Sequence, residues 1–106
     1  MGRQRKKYYH ATSEDNLISI LDSGITVGPD HRIYLTEHDD EAVRFLLFRG
    51  IEKVITFEIT VPDMKKLEES FDHSYEFFQC RCFAYPEDIG PEYIKPFKKY
   101  DLSGIL

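Results

Sequence analysis

Two short segments of this chain place side chains that can do chemistry where a predicted strand gives way to a predicted helix. The first is His10-Ala11-Thr12, and the second is 32–36 with Tyr34 at its centre. Histidine titrates nearest to neutral pH, and the free N–H groups at a helix N-terminus attract anionic groups. Two such junctions close together in sequence predict a single cleft of about the size of a nucleotide.

Hydrophobic spacing and breaking residues predict the elements that position these side chains. The segment 53–61 alternates apolar with polar residues, so one face of that strand is expected to pack and the other to be largely wet. The helices come early and the long strands late, which predicts an α+β domain and not a doubly wound parallel sheet. In chain order the predicted strands are 7–10, 33–35, 53–61, 77–85 and 93–100, and the predicted helices are 14–23 (capped by Thr12 or Ser13 and ended at Gly24), 38–49 and 63–70.

Length and charge limit the class of protein. The 106 residues are 42% hydrophobic, which predicts one folded domain over 1–106. No apolar run approaches the roughly 20 residues that span a bilayer, so we expect a cytoplasmic protein with no membrane partner. Four of the 14 Lys and Arg lie in 3–7, so the remainder carries 10 bases against 19 acids. This acidic excess disfavours duplex DNA as a partner, and residues 1–6 are expected to be a flexible basic tail.

The cysteines and histidines do not match a metal site. Cys80 and Cys82 are the only two cysteines, and the four histidines are scattered along the chain. This spacing fits no zinc pattern, and a disulfide between residues so close would be strained. We therefore expect two small buried apolar side chains and no metal.

The order of the motifs resembles the front half of the NAD-dependent ADP-ribosyltransferase superfamily. Short rifampin ADP-ribosyltransferases carry a similar His-Gly-Thr followed by Val-Tyr-Leu-Thr, and the DarT-type toxins that modify DNA carry a similar His-x-Thr, Asn-Leu, Ile-Leu and Gly-Ile string. The resemblance covers about 7–48 by motif, and beyond 53 it rests on strand order and the 88–94 ending. It implies a split β-sheet core, with two early helices, around a nicotinamide cleft. The matching residues are His10-Ala11-Thr12, Asn16-Leu17, Ile20-Leu21, Gly24-Ile25, Ile33-Tyr34-Leu35-Thr36 and Ala42.

The resemblance implies that NAD is the substrate, and it assigns roles to single residues. His10 matches the family histidine that hydrogen-bonds the adenosine-side ribose. Ala11 matches a position, often Gly in the family, whose backbone holds the nicotinamide amide. Tyr34 matches the aromatic residue that stacks on nicotinamide, and Thr12 and Thr36 would be supporting hydroxyls.

The family also uses an acid that binds the ribose 2′-OH and stabilises the developing cation. Glu76, just before the predicted strand over 77–85, is the first choice, and Asp72 and Glu69 are the alternatives. Aligned instead with the DarT-type pattern, Arg81 takes the acid position. A guanidinium there would oppose the developing positive charge, and catalysis would be lost.

Three functions follow from the resemblance. The first is transfer of ADP-ribose from NAD to an unidentified acceptor, which could be a small molecule, a protein or a nucleic acid. The second is a catalytically silent module that binds a nucleotide, ADP-ribose or a partner, as expected if Arg81 replaces the acid. The third is an RNA 2′-phosphotransferase, which needs basic cleft residues, and Arg32, Arg49 and Arg81 are the candidates for it.

Overall fold

The strands form one antiparallel sheet in the computed structural model, which describes residues 7–29, 31–47, 49–70 and 82–104. Within these ranges the strand order is β4-β5-β2-β1-β3-β6, and each neighbouring pair is antiparallel. The α+β class is therefore confirmed. The strands are β1 (Tyr8–Ser13), β2 (Ile33–Thr36), β3 (Lys53–Ile59), β4 (Glu68–Ser70), β5 (Cys82–Tyr85) and β6 (Ile94–Asp101), and the α-helices are α1 (Leu17–Ser23) and α2 (Asp39–Leu47).

The first helix begins and ends where its sequence signals predict. The Ser13 hydroxyl accepts a hydrogen bond from the Asp15 N–H at 3.4 Å, at the start of a 3₁₀ turn that leads into α1. Gly24 ends the helix with a φ of 82°, and its N–H donates to the Ile20 carbonyl at 2.8 Å. A Cβ at this glycine would collide with the Ile89 carbonyl oxygen. Glycine is therefore required here both for its backbone conformation and for the close approach.

The main hydrophobic core lies on the face of the sheet that also packs against α1. The rings of Tyr8 and Phe83 meet edge to face there, with their centroids 5.1 Å apart. Such aromatic pairs add about 0.5–1.5 kcal/mol beyond the area that they bury. The most deeply buried members of this core are Tyr8, Ile33, Leu35, Ile55, Phe57, Ile59, Tyr85 and Ile89.

The prediction that one face of the strand over 53–61 is largely wet is wrong. Val54 and Thr56, on the supposedly wet face, are both 0% exposed. The strand lies between β1 and β6, and α2 packs across this face, where Val43 and Leu46 form a second cluster with Val54. An alternating pattern cannot reveal that a helix covers the polar-looking face.

The prediction of a helix over 63–70 is also wrong. One 3₁₀ turn, Met64–Lys66, is capped by the Asp63 carboxylate, which accepts from the Lys65 N–H at 3.0 Å. Leu67 is extended, and the chain then enters β4, which pairs with β5. Tertiary strand pairing thus overrides local helix propensity.

Two further predictions concern the later strands. The predicted strand over 93–100 is confirmed as the edge strand β6. Cys82 is buried in β5, as expected. Cys80 and the rest of the predicted strand over 77–81 lie outside the described residues.

Candidate functional site

The strands β1 and β2 meet at one residue pair and are then joined by a side chain. β1 pairs with β3 along its whole length, whereas its register with β2 is the pair Tyr9 and Thr36. Next to that pair, Nδ1 of His10 lies 3.0 Å from the carbonyl oxygen of Tyr34. A ring nitrogen, not a backbone N–H, therefore meets this part of β2. We call this place the β1–β2 gap, and His10 and Tyr34 border it.

The hydrogen bond to Tyr34 determines what the His10 ring can do. A carbonyl can only accept, so Nδ1 carries the hydrogen and donates, which leaves Nε2 of the neutral ring as an acceptor. Desolvation lowers the pKa of His10 below its ordinary value, and the hydrogen bond to the Tyr34 carbonyl opposes this more weakly. The half-buried ring is therefore neutral at neutral pH, and Nε2 is suited to accept a hydrogen bond from a hydroxyl group.

The two rings that border the gap project from opposite faces of the sheet. His10 lies opposite Phe57 in the register of β1 and β3, which places it on the main-core face. Ile33 and Leu35 are buried in that core, so the alternating Tyr34 projects from the other face. Tyr34 is 44% exposed. A ligand that contacts both rings must therefore pass through the β1–β2 gap.

The other predicted binding residues hold the strand ends in place. The Thr12 hydroxyl accepts from the Asn16 side-chain amide at 2.8 Å, and the buried Thr36 hydroxyl donates to the His38 carbonyl at 2.7 Å. Ala11 packs against the cluster beneath α2. Each threonine thus fastens the end of its strand to the segment that follows. The sequence analysis did not predict the hydrogen bond from Asn16 to Thr12. The spacing of four residues between these polar side chains is a signal that could have indicated it.

One of the three predicted acids falls within the described part of the chain. Glu76, Asp72 and the competing Arg81 lie outside it. Glu69 is half-buried in β4 and pairs with Phe83, which in turn pairs with Leu35. Residues that pair across neighbouring strands share a face, so Glu69 lies on the same face as His10. Three strand spacings separate β4 from β1, or roughly 14 Å.

The described ranges offer neither a cluster of metal ligands nor a helix that could span a membrane. They contain no group of three or more His, Cys, Asp or Glu side chains placed to hold a metal ion. No helix in the same ranges has the length and apolar character needed to cross a membrane.

Comparisons with known proteins give no family for this chain. No protein-family model matches it, and no curated protein sequence matches it at a significant level. The expected family therefore rests on the order of the motifs in the sequence alone.

Proposed function

We propose that this protein binds NAD at the β1–β2 gap and transfers ADP-ribose from it to an acceptor. The observation that carries the proposal is the hydrogen bond from His10 Nδ1 to the Tyr34 carbonyl. It holds the ring so that Nε2 can accept a ribose hydroxyl, and the exposed Tyr34 borders the same gap from the opposite face of the sheet. The flat face of that tyrosine suits an electron-poor aromatic ring such as nicotinamide.

The reaction breaks the bond between the anomeric carbon of the ribose and the nicotinamide nitrogen. Nicotinamide leaves with the bonding electron pair, and the ribose passes through an oxocarbenium-like state. The acceptor then bonds to the anomeric carbon and gives up its proton. A carboxylate beside the ribose 2′-OH stabilises the developing positive charge.

Three acids compete for this role. The family resemblance supports Glu76 first and Asp72 second. The placement of Glu69 on the same face as His10 supports Glu69 as the third candidate. The three carboxylates lie within eight residues of one another in sequence. An amide substitution removes the charge of each acid with little change in side-chain volume, so three single variants show which acid stabilises the transition state.

The binding test is isothermal titration of the protein with NAD and with ADP-ribose. His10→Ala is expected to weaken NAD binding about 10-fold, because one hydrogen bond to the ligand is lost. Tyr34→Ala is expected to weaken NAD more than ADP-ribose, because ADP-ribose lacks the nicotinamide ring. His31→Asn is the matched control, since asparagine tolerates the positive φ of 58° at that exposed position.

The catalytic test is release of nicotinamide from NAD by the wild-type protein and by Glu76→Gln, Asp72→Asn and Glu69→Gln. One of these is expected to lower release by roughly 10²–10³-fold with binding retained, and the other two to stay within a few fold. Binding without release in the wild type would instead identify a silent module. Absence of binding to both ligands would refute the site.

A further inference from the structure

α2 covers one part of its face of the sheet and leaves half-buried side chains on β1 and β3 and exposed side chains on β6. Tyr9, Glu58 and Lys95 lie side by side on these three strands, because Glu58 pairs with both of the others. Residues paired in this way share a face. We call this area the β6 surface, and it consists of Lys7, Tyr9, Glu58, Lys95, Phe97 and Lys98.

A bulge in β6 presents an aromatic ring on this surface. In the register with β3, Pro96 pairs with Phe57 and Lys98 pairs with Thr56, so Phe97 between them has no partner. Bulges of this kind bend a strand and redirect a side chain. Phe97 is 49% exposed, and its ring meets that of Tyr9 edge to face with centroids 5.0 Å apart. An exposed aromatic ring thus lies against a half-buried one on this surface.

The charge of the β6 surface is opposite to that of the whole protein. The chain has a net charge of −5, yet Lys95 and Lys98 are exposed and have no ion-pair partner in the described part of the chain. The Lys98 ammonium lies 5.0 Å from the centroid of the Tyr100 ring. Lys7 reaches the Glu58 carboxylate at 3.9 Å.

The edge of β6 is unsuited to pairing with a strand from another protein. Pro96 removes a backbone donor, the bulge at Phe97 interrupts the repeat, and lysines flank both positions. Natural sheets use these three devices to prevent strand addition at an edge. A ligand of the β6 surface is therefore expected to contact side chains and not the backbone of the edge.

We infer that the β6 surface binds a short stretch of single-stranded RNA. Bases stack on aromatic rings such as the exposed Phe97 and the half-buried Tyr9 beside it, while lysines neutralise the phosphates of the same strand. A flexible single strand can place both groups on a patch of this size, whereas the duplex needs a longer basic track. The β6 surface does not include His10 or Tyr34, so this inference is independent of the proposed NAD site.

Glu58 favours RNA over single-stranded DNA. Its half-buried carboxylate lies in register between Tyr9 and Lys95 and is 3.9 Å from the Lys7 ammonium, which only partly offsets its repulsion of a phosphate backbone. The ribose 2′-OH can donate a hydrogen bond to such a carboxylate, and it is the group by which proteins distinguish RNA from DNA. Deoxyribose offers no donor at that position.

The test is fluorescence anisotropy with labelled oligouridylate of about 12 nucleotides, a length within the usual site size for single strands. Phe97→Ala is expected to weaken binding by roughly 5- to 100-fold through lost stacking. Lys95→Gln and Lys98→Gln are each expected to reduce the slope of log K against log salt by about 0.7. Met64→Ala and Lys65→Gln are the matched controls, since Met64 is 51% exposed and Lys65 lies beside it on a distant turn. Both controls are expected to bind as the wild type does.

The same measurement on oligodeoxythymidylate separates RNA from DNA. DNA is expected to bind more weakly, and Glu58→Ala is expected to reduce this difference. Circular dichroism establishes that each variant is folded, which is expected because Phe97 and both lysines are exposed. The inference is overturned if RNA does not bind, if Phe97→Ala binds as the wild type does, or if DNA binds as tightly as RNA. Binding to anionic lipid vesicles in place of RNA would equally overturn it.

Discussion

β1 has two very different neighbours. On one side it pairs with β3 from Tyr8 to Ser13, and on the other its register with β2 is the single pair of Tyr9 and Thr36. On the β3 side, most side chains of β3 are buried, on both faces of the sheet. On the β2 side, the His10 ring nitrogen is hydrogen-bonded to the Tyr34 carbonyl, and the Tyr34 ring is half exposed. One strand thus contributes to the core through one edge and to the candidate site through the other.

This difference indicates how stability and binding are divided in the molecule. A continuous ladder with buried side chains on both faces holds β1 rigidly in place. The candidate site lies on the other side of β1, so a ligand that binds there need not disturb this ladder. Residues on the two sides of β1 should therefore respond differently to substitution.

The largest effect is expected for Phe57→Ala. Phe57 is fully buried in β3 opposite His10, so truncation should lower the free energy of unfolding by about 3–5 kcal/mol. Tyr34→Ala, on the other side of β1, should cost about 1 kcal/mol or less because the ring is half exposed. Urea denaturation measures both values, and equal losses would contradict the division between the two edges.

A smaller effect is expected for Tyr100→Phe. The Tyr100 hydroxyl donates to the Asp39 carboxylate and so joins β6 to the first residue of α2. The group is partly exposed, so its loss should cost about 1–2 kcal/mol at neutral pH. Burial and the hydrogen bond to Asp39 raise the pKa of Tyr100 from 10.0 to about 12.

Because the pKa of Tyr100 is raised, the stabilisation from its hydrogen bond to Asp39 depends on pH. The unfolded chain releases the Tyr100 proton near pH 10 and the folded chain near pH 12. The stabilisation is therefore complete below pH 10 and is lost as the pH rises toward 12. Spectroscopic titration of tyrosinate should show a late-titrating group that is missing in Tyr100→Phe, and an unchanged titration would refute the assignment.

The smallest effect is expected for the protonation of His10. Desolvation lowers the pKa of the folded ring below 6.5, so the unfolded chain takes up the proton first as the pH falls. The stability that depends on the neutral ring is present above pH 6.5 and is lost as the pH falls below it. His10→Gln should remove this part of the pH dependence of unfolding. A steeper dependence in the variant than in the wild type would contradict the sign.

Local signals in the sequence predict the ends of the early elements well. Ser13 caps the first turn and Gly24 ends α1, because capping and a positive φ depend on residue type at one position. The burial of Val54 and Thr56 could not be predicted, because it depends on where α2 packs. β4 was missed for the same reason, since its formation depends on pairing with β5.

The candidate site was predicted in part. The motif order predicts that His10 and Tyr34 border one site, but the prediction that His10 ends its strand is wrong, because β1 continues through pairing with β3 to Ser13. The bond from the ring to the Tyr34 backbone depends on how far two strands separate, and no residue pattern encodes that distance. The position of Glu69 relative to His10 depends on the register of three strand pairs and is likewise invisible in the sequence.

The contact between Ile25, which follows Gly24, and Ile89 affects the order in which the protein can fold as it is synthesised. Ile25 and Ile89 exchange two backbone hydrogen bonds of 2.9 Å, and the Val27 N–H donates to the Asp88 carboxylate at 2.8 Å. The segment between the two motifs is thus held by residues that leave the ribosome more than sixty positions later. A nascent chain therefore carries both motifs without the clamp that fixes their connection until Asp88 and Ile89 have been synthesised.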